Sequence, residues 1–167
     1  FHTPAYLQIL ERASRREVDV RALEAGLGTP DCPIFDHMLD YALLAAGASI
    51  TGARLLLEGT AGVAVNFSGG YHHAHPSRAG GFCYVNDIVL ACMVLTDAGK
   101  RVAFLDVDVH HCDGVQAAFY NRNDVLTVSL HEDGRKLFPG TGSVSEIGEG
   151  EGRGYTVNVP LPSGTYD

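Results

Sequence analysis

Residues 101–113, with the sequence RVAFLDVDVHHCD, constrain the fold of this chain more than any other stretch. The stretch begins as an apolar run typical of a buried strand and ends in side chains that bind metals. Because alternate side chains of an extended strand share a face, Asp106, Asp108 and His110 are predicted to project together. Two carboxylates and an imidazole at the end of a buried strand are costly to leave unpaired, and a divalent metal is the simplest compensation. The alternative for each residue alone is a loop cap, an ion pair or an ordinary polar contact.

The composition is that of a soluble globular protein with room for one domain. Of the 167 residues, 46% are hydrophobic and 19% are charged, both ordinary values. The formal net charge of −8 gives no support to nucleic-acid binding. No apolar run has the length of a membrane span and nothing at the start is typical of a signal peptide, so we expect a cytoplasmic protein without a membrane partner. The 4 cysteines lack CxxC spacing, which indicates neither a disulfide framework nor a zinc knuckle.

Strand patterns alternate with helical patterns along the chain. This alternation predicts an α/β fold with right-handed crossovers and a mostly parallel sheet that is covered on both faces. Asp36 is the predicted N-cap of the longest helix, and Asp113 stands in front of the shortest one. The predicted helices begin at Thr3-Pro4 or span 36–58, 85–98 and 114–120, and the predicted strands span 61–67, 101–109, 125–130 and 155–159.

The carboxyl ends of the predicted strands carry the side chains best suited to chemistry. In parallel α/β sheets, ligands bind beyond these ends. We therefore expect the chemistry at one edge of the sheet. The side chains concerned are His72 and His73 after the first strand, those of residues 106–113 at the second, and Ser129 and His131 at the third.

The adjacent histidines have two interpretations. As plain loop residues, His72 and His73 need no special role. Beside a metal, imidazoles with a pKa near neutrality are natural general acid–base groups. Asp106 and Asp113 are then candidates to orient the rings by accepting an N–H, although Asp113 is equally well explained as a helix cap.

Aromatic and glycine-rich stretches near the predicted site are less informative. Phe82 and Phe138 could wall a narrow apolar channel or could anchor their loops to the core. The glycine-rich stretches 140–142 and 148–154 fit neither a dinucleotide-binding motif nor a phosphate-binding loop.

Several ordered motifs resemble those of the histone deacetylase superfamily, and the details are similar to bacterial acetoin-utilisation deacetylases. The resemblance runs nearly end to end. It implies a three-layer, arginase-like α/β fold with a mostly parallel sheet, of which residues 1–167 form a single, incomplete catalytic domain. It also implies zinc-dependent, sometimes iron-dependent, removal of acetyl groups from the lysine Nε atom. The motifs are GGYHHA from Gly69, GFCYVND at 81–87, DVDVHHCDGV at 106–115, TVSLH at 127–131 and FPGTG at 138–142.

The resemblance assigns roles to individual residues by position. Asp108 and His110 match two metal ligands of the family. His73, together with the metal, would activate a water molecule, and His72 would act mainly as an oriented electrostatic partner. The family match implies four catalytic residues, in which the two carboxylates orient the two rings: His72 with Asp106, and His73 with Asp113.

The resemblance also implies substrate and potassium sites. The acyl-lysine tunnel would include Gly81, Phe82 and Phe138, and Asp31 would hold the substrate backbone at the rim. The implied potassium ligands are Asp106, Asp108, His110, Ser129 and Leu130 at one site, and Phe119, Arg122, Val125 and Tyr155 at another.

Two features depart from the family pattern. Cys112 stands where the family normally has Gly, and if the backbone there had a positive φ, the Cβ would cost about 1 kcal/mol and could tilt Asp113. The family's third metal ligand and its catalytic Tyr fall beyond residue 167. We therefore expect this chain to be a piece of a longer protein and to be nearly inactive alone.

The expected substrate is an acetylated lysine of a protein or a small acetylated amine. An acetylpolyamine amidohydrolase is an alternative with the same fold. A non-catalytic acyl-lysine-binding scaffold is a second alternative, which Cys112 favours and the tandem histidines oppose.

Overall fold

The fold is given by a computed structural model, which describes residues 1–166. Its sheet has three parallel strands in the order β1, β2, β3, with β1 at Val102–Asp106, β2 at Val125–Glu132 and β3 at Thr156–Leu161. Asp106 is the register partner of Ser129, so the end of β1 lies beside β2 three residues before β2 ends. The parallel α/β arrangement predicted from the alternating patterns is therefore confirmed.

Residues 1–166 form five α-helices, of which four precede β1 and one lies between β1 and β2 in the sequence. Thr3 caps the first helix, since its hydroxyl accepts the N–H of Tyr6 at 3.2 Å, and Pro4 occupies the first turn as predicted. Within residues 1–166, no helix has the length and apolar character needed to cross a bilayer. The helices are α1 (Pro4–Ser14), α2 (Val20–Glu24), α3 (Met38–Leu57), α4 (Asp87–Asp97) and α5 (Asp113–Phe119).

The chain divides into two compact units, residues 1–94 and residues from 95 onward. In the first unit, one face of α1 packs against α3, and the side chains of Tyr6, Leu10 and Met38 are almost completely buried. The hydroxyl of Tyr6 donates a hydrogen bond to the carbonyl of Tyr84 at 2.8 Å, so the polar end of this core residue is satisfied. In the second unit, α5 packs against β2.

The predicted strand at 61–67 is wrong. These residues form no strand, and the side chains of Val63, Val65 and Phe67 are 79%, 70% and 98% exposed. A strand requires neighbours that satisfy its backbone hydrogen bonds. Among residues 1–166, no strand pairs with this segment, so its apolar character alone does not make it a strand.

The predicted cap of the longest helix is also wrong. Helix α3 begins at Met38, and His37 occupies the cap position with a φ of 65° and no capping bond from its side chain. The carboxylate of Asp36 instead accepts a hydrogen bond from Nε of Arg16 at 2.8 Å. The sequence pattern identified a residue able to cap, but its charge is satisfied by an arginine twenty residues away in the chain.

Candidate active site

In the second unit, the candidate metal ligands lie in a turn that follows β1 directly. Oδ1 of Asp106 accepts the backbone N–H of Asp108 at 2.9 Å, and Oδ1 of Asp108 accepts that of His110 at 2.7 Å. Such bonds from an Asp side chain to the amide two residues ahead are typical of turns. The strand therefore ends at Asp106, and the alternation predicted over 101–109 does not continue beyond it. The neighbouring apolar side chains, predicted to belong to a buried strand, are more than half exposed: Leu105 63%, Val107 74% and Val109 51%.

The turn brings together two atoms of the kinds that bind zinc or iron. Oδ1 of Asp108 lies 3.0 Å from Nδ1 of His110, and both side chains are partly exposed. Carboxylate oxygen and imidazole nitrogen bind zinc at about 2.0–2.2 Å, so two such atoms this close can contact one ion. No group of three or more His, Cys, Asp or Glu side chains suited to a metal occurs in the described part of the chain. Asp108 and His110 are therefore two candidate ligand residues.

In the first unit, the tandem histidines are buried side by side. The side chains of His72 and His73 are 6% and 4% exposed, and their ring centroids lie 4.0 Å apart with an angle of 51° between the rings. The backbone N–H of His72 donates to the carbonyl of Gly70 at 2.9 Å, which makes a tight turn immediately before the pair. Rings held this closely cannot adopt many orientations, so the surrounding backbone sets where their nitrogen atoms point.

The structure adds Asn86 and Asp87 to the tandem histidines, and sequence reasoning assigned neither residue a role. Both are buried, 0% and 2% exposed, and both side chains form hydrogen bonds to the backbone beside His72 and His73. An Asn-Asp pair in front of an apolar helix is an ordinary helix start. That pattern is a signal for a cap, but no local pattern reveals bonds to residues more than ten positions away.

Cys112 is not strained. Its φ is −78° and its ψ is 60°, and the N–H of Asp113 donates to the carbonyl of His111 at 2.9 Å across it, which is the geometry of an inverse γ-turn. The positive φ considered for this position is therefore wrong, and its Cβ does not force a tilt of Asp113. Burial raises the pKa of the Cys112 thiol to about 12.

Asp113 is the first residue of α5 rather than its cap. Cys112 occupies the cap position and makes no capping bond. The interpretation of Asp113 as a helix N-cap is therefore wrong, because the γ-turn places it inside the helix.

A buried polar network fixes the loop that follows β2. His111 is 1% exposed, with Nε2 3.0 Å from Oε1 of Gln116 and Nδ1 2.8 Å from the hydroxyl of Thr141. Nε2 of Gln116 donates to Glu146 at 2.6 Å, and the other carboxylate oxygen of Glu146 accepts the N–H of Gly142 at 3.0 Å. Partial burial raises the pKa of Glu146, but hydrogen bonds from the Ser143 backbone, Gln116 and Gly142 outweigh it and leave that pKa below its usual value.

His131 completes this network from β2. Its Nδ1 lies 2.9 Å from the hydroxyl of Ser129, and its Nε2 lies 3.0 Å from the carbonyl of Gly142. If Nε2 carries the proton, a neutral ring donates to the Gly142 carbonyl and accepts from the Ser129 hydroxyl. The hydrogen-bond network therefore assigns this tautomer. The sequence analysis predicted His131 and Ser129 at the end of this strand. In the structure, Ser129 contacts the ring of His131, and that ring holds the loop at Gly142.

The predicted substrate residues lie in exposed positions of both units. In the second unit, Phe138 is 45% exposed, and its ring contacts that of His110 edge to face at 6.2 Å. In the first unit, Asp31 is exposed, and Phe82 is 66% exposed with a φ of 67° directly after Gly81. A bulky residue with positive φ is an outlier whose cost the surrounding structure must offset, and such residues cluster at ligand sites.

The predicted potassium ligands are partly brought together. Asp106, at the end of β1, and Ser129 of β2 are cross-strand neighbours, and Leu130 follows Ser129 on β2. Of the second set, Phe119 accepts the N–H of Arg122 at 2.9 Å, Tyr155 accepts that of Thr127 at 2.8 Å, and Val125 is buried at the start of β2. These contacts are compatible with carbonyl ligation, because each oxygen has a second lone pair, and the potassium sites stay predictions.

These features define the class of the protein. It is an α/β protein that carries imidazole and carboxylate groups near the ends of its parallel strands. The sequence-family model for the histone deacetylase domain matches residues 1–167 of this chain. Histone deacetylase 8 of Xenopus laevis is 49% identical over 169 aligned residues, which cover 100% of this chain and 52% of that protein. Histone deacetylase RPD3 of Saccharomyces cerevisiae is 44% identical over 170 residues, which cover 100% of this chain and 39% of that protein. The chain belongs to the histone deacetylase domain family.

Solved structures agree with this assignment. A crystal structure of an HDAC homolog from Aquifex aeolicus matches with a TM-score of 0.92 and 42% identity, covering 98% of this chain and 45% of that one. A second structure, of an HDAC homolog complexed with SAHA, matches with a TM-score of 0.91 and 40% identity. The predicted fold class is confirmed. The chain spans about half the length of the relatives it matches. The narrower likeness to acetoin-utilisation deacetylases stays a prediction.

Proposed function

We propose that the protein carrying this chain is a metal-dependent amide hydrolase that removes acetyl groups from acetyl-lysine in proteins or from related small amines. The observation that carries the proposal is the buried pair of imidazoles at His72 and His73 in a chain of the histone deacetylase family. Two adjacent buried histidines are costly to keep unless they do chemistry or specify structure. The ligand atoms paired in the turn after β1 support the same conclusion.

Asp108 and His110 are the proposed metal-binding residues of this chain. Their Oδ1 and Nδ1 atoms, 3.0 Å apart, match the carboxylate and imidazole ligands that zinc and iron take in hydrolases. Together they would hold a divalent ion, which would supply a Lewis acid for the acetyl carbonyl and a nucleophilic water at neutral pH. The remaining ligands come from outside residues 1–166.

His73 is the proposed general base, and His72 its electrostatic partner. A ring nitrogen of His73 takes the proton of the attacking water and returns a proton to the departing lysine amine, so that the amide bond breaks and acetate and a free amine form. Asp113 and Asp106 are proposed to orient the two rings, in the way that carboxylates hold a histidine tautomer elsewhere. Potassium bound near Asp106 and Ser129 belongs to the same proposal.

Phe82 and Phe138 are the proposed walls for the aliphatic part of the acyl-lysine side chain. Each presents a large apolar surface that a ligand could cover, 66% exposed at Phe82 and 45% exposed at Phe138. Gly81 allows close approach next to Phe82, and the exposed carboxylate of Asp31 is suited to accept backbone N–H groups of a peptide.

The test uses the protein at full natural length with an acetyl-lysine peptide and an acetylated polyamine as substrates. We expect release of acetate from the peptide, its loss in His73→Ala, and wild-type rates in His37→Asn. His37 is a suitable control because its side chain is 85% exposed and Asn tolerates its positive φ. Metal content is measured in parallel. A protein without bound zinc or iron and without amidase activity would overturn the proposal. Hydrolysis of the polyamine alone would show that acetyl-lysine in proteins is not the substrate.

A further inference from the structure

Two consecutive buried residues, Asn86 and Asp87, hold the backbone on both sides of the tandem histidines. They stand at the start of α4 and are 0% and 2% exposed. Neither contributes a ring nitrogen or a metal ligand to the chemistry proposed above. Their hydrogen bonds nevertheless meet the chain immediately before His72 and immediately after His73.

Asp87 holds the side that precedes the histidines. Its Oδ1 accepts the backbone N–H groups of Gly70 at 3.0 Å and of Tyr71 at 2.9 Å. Its Oδ2 accepts the hydroxyl of Ser49, on α3, at 2.5 Å. Hydrogen bonds to a carboxylate are shorter and stronger than neutral ones. All three donors come from outside α4, so this carboxylate serves the loop before His72.

Gly69 shows how closely this loop approaches Asp87. A Cβ at Gly69 would lie 2.3 Å from Oδ2 of Asp87 and 2.8 Å from Nδ2 of Asn66. Asn66 itself donates to the carbonyl of Ala45 at 2.9 Å and to the hydroxyl of Ser49 at 2.8 Å. The loop is therefore tied to α3 and α4 together, and a Cβ at Gly69 would require the Asp87 carboxylate to shift.

Asn86 holds the side that follows the histidines. Its Nδ2 donates to the carbonyl of Ala74 at 3.0 Å, and Ala74 is fully buried. Its Oδ1 accepts the N–H of Val89 at 3.0 Å, which caps the first turn of α4. One amide thus joins the helix start to the chain directly behind His73.

We propose that Asn86 and Asp87 are positioning residues for His72 and His73. The inference rests on the proposed function, because it assigns the pair to the reaction that these histidines perform. Because both residues belong to one helix start, residues 71–74 are fixed at both ends by the same rigid element. A small shift of either end would rotate the imidazoles, and misplacement of catalytic groups by about 1 Å can lower rates about 100-fold.

The experiment compares variants that separate positioning from helix capping, in the full-length protein. Asn86→Asp keeps the oxygen that caps α4 but loses the donor to Ala74. Asp87→Asn keeps the size of the side chain but cannot accept from Ser49 and both amides at once. Asp97→Asn, at the exposed far end of α4, removes the same charge as a control. Gly69→Ala forces Asp87 aside, and Gly62→Ala is its control, since a Cβ there meets nothing within 4 Å.

We expect kcat to fall about 10- to 100-fold in Asp87→Asn, Asn86→Asp and Gly69→Ala, with KM changed far less and both controls at wild-type values. Hydrogen exchange of residues 66–74, measured by mass spectrometry, is expected to accelerate in the same three variants. Thermal unfolding identifies any variant that does not fold. The variants that do fold then test the positioning role.

Folded Asp87→Asn and Gly69→Ala proteins with kcat within about twofold of their controls would overturn the inference. If the wild-type protein hydrolyses no acetylated substrate, the proposed function fails, and the exchange data decide this inference separately. Unchanged exchange at residues 66–74 then overturns it, whereas faster exchange supports a clamp that orders the histidine pair.

Discussion

Oδ1 of Asp108 accepts the backbone N–H of His110 at 2.7 Å and lies 3.0 Å from Nδ1 of the same residue. One carboxylate oxygen thereby ties the imidazole to the turn that follows β1. This relationship explains how two residues separated by a single position bring their ligand atoms together without a regular strand between them.

Asp108→Asn should remove most of the bound metal from the full-length protein. An amide oxygen is a much weaker ligand for zinc than a carboxylate, so the loss should exceed the about 10- to 100-fold cost of losing an outer-shell partner. Metal content after dialysis measures it directly. Asp97→Asn on the exposed end of α4 is the charge-matched control, and full metal occupancy in Asp108→Asn would exclude this residue as a ligand.

Residues 1–167 alone should deacetylate an acetyl-lysine peptide at a negligible rate. The described residues supply two candidate ligands, whereas a catalytic zinc site normally has three from protein. The measurement compares the isolated chain with the full-length protein at equal concentration. A comparable rate for both would show that these residues complete the site themselves.

Cys112→Gly should lower the free energy of unfolding by about 1–3 kcal/mol. The backbone has a negative φ and does not need glycine, and the side chain is fully buried. Cys112→Ala is the matched variant, because it keeps the Cβ and should lose less. Denaturant titration measures both, and a stabilised Cys112→Gly protein would contradict the conformation found for this turn.

Gly142→Ala should destabilise the protein more than Gly154→Ala does. Both glycines have a positive φ, 93° and 86°, so the backbone cost of about 1–2 kcal/mol is shared. At Gly142, however, a Cβ would lie 2.3 Å from Nε2 of His131, whereas at Gly154 it meets nothing within 4 Å. Thermal unfolding of the two variants isolates the crowding. Equal melting temperatures would argue against the packing of His131 on this loop.

The stability difference between the wild type and Glu146→Gln should depend on pH. The pKa of Glu146 is lower in the folded protein than in the unfolded chain, because the folded loop donates hydrogen bonds to its ionised form. Ionised Glu146 therefore stabilises the fold above the unfolded pKa of about 4.3, and this contribution is lost as the pH falls through the folded pKa. Unfolding measured from pH 7 to pH 3 should show the two proteins converging in acid. A constant difference would count against this role.

Local patterns predicted a helix cap whose hydrogen bond is local and a strand that finds partners on both sides in the sheet. The N-cap at Thr3 depends on a bond to Tyr6, three residues ahead, and the sequence identified it. The predicted strand at 125–130 was confirmed as β2, with two further residues at its end. The segment at 61–67 has equally apolar residues but no strand partner among residues 1–166, and partnership is not encoded locally.

The sequence by itself determined the family, the parallel α/β fold and the identity of the residues proposed for chemistry, because motif order and alternation are properties of the chain. Only the tertiary structure decided how those residues are held. It ended β1 at Asp106 through side-chain bonds to the backbone, gave Cys112 an unstrained turn, and placed Asn86 and Asp87 on either side of the tandem histidines. The first two outcomes rest on hydrogen bonds between residues two positions apart, whose choice among possible turns is not specified by residue type. The third depends on bonds between segments 12 to 17 residues apart, and no local pattern contains that information.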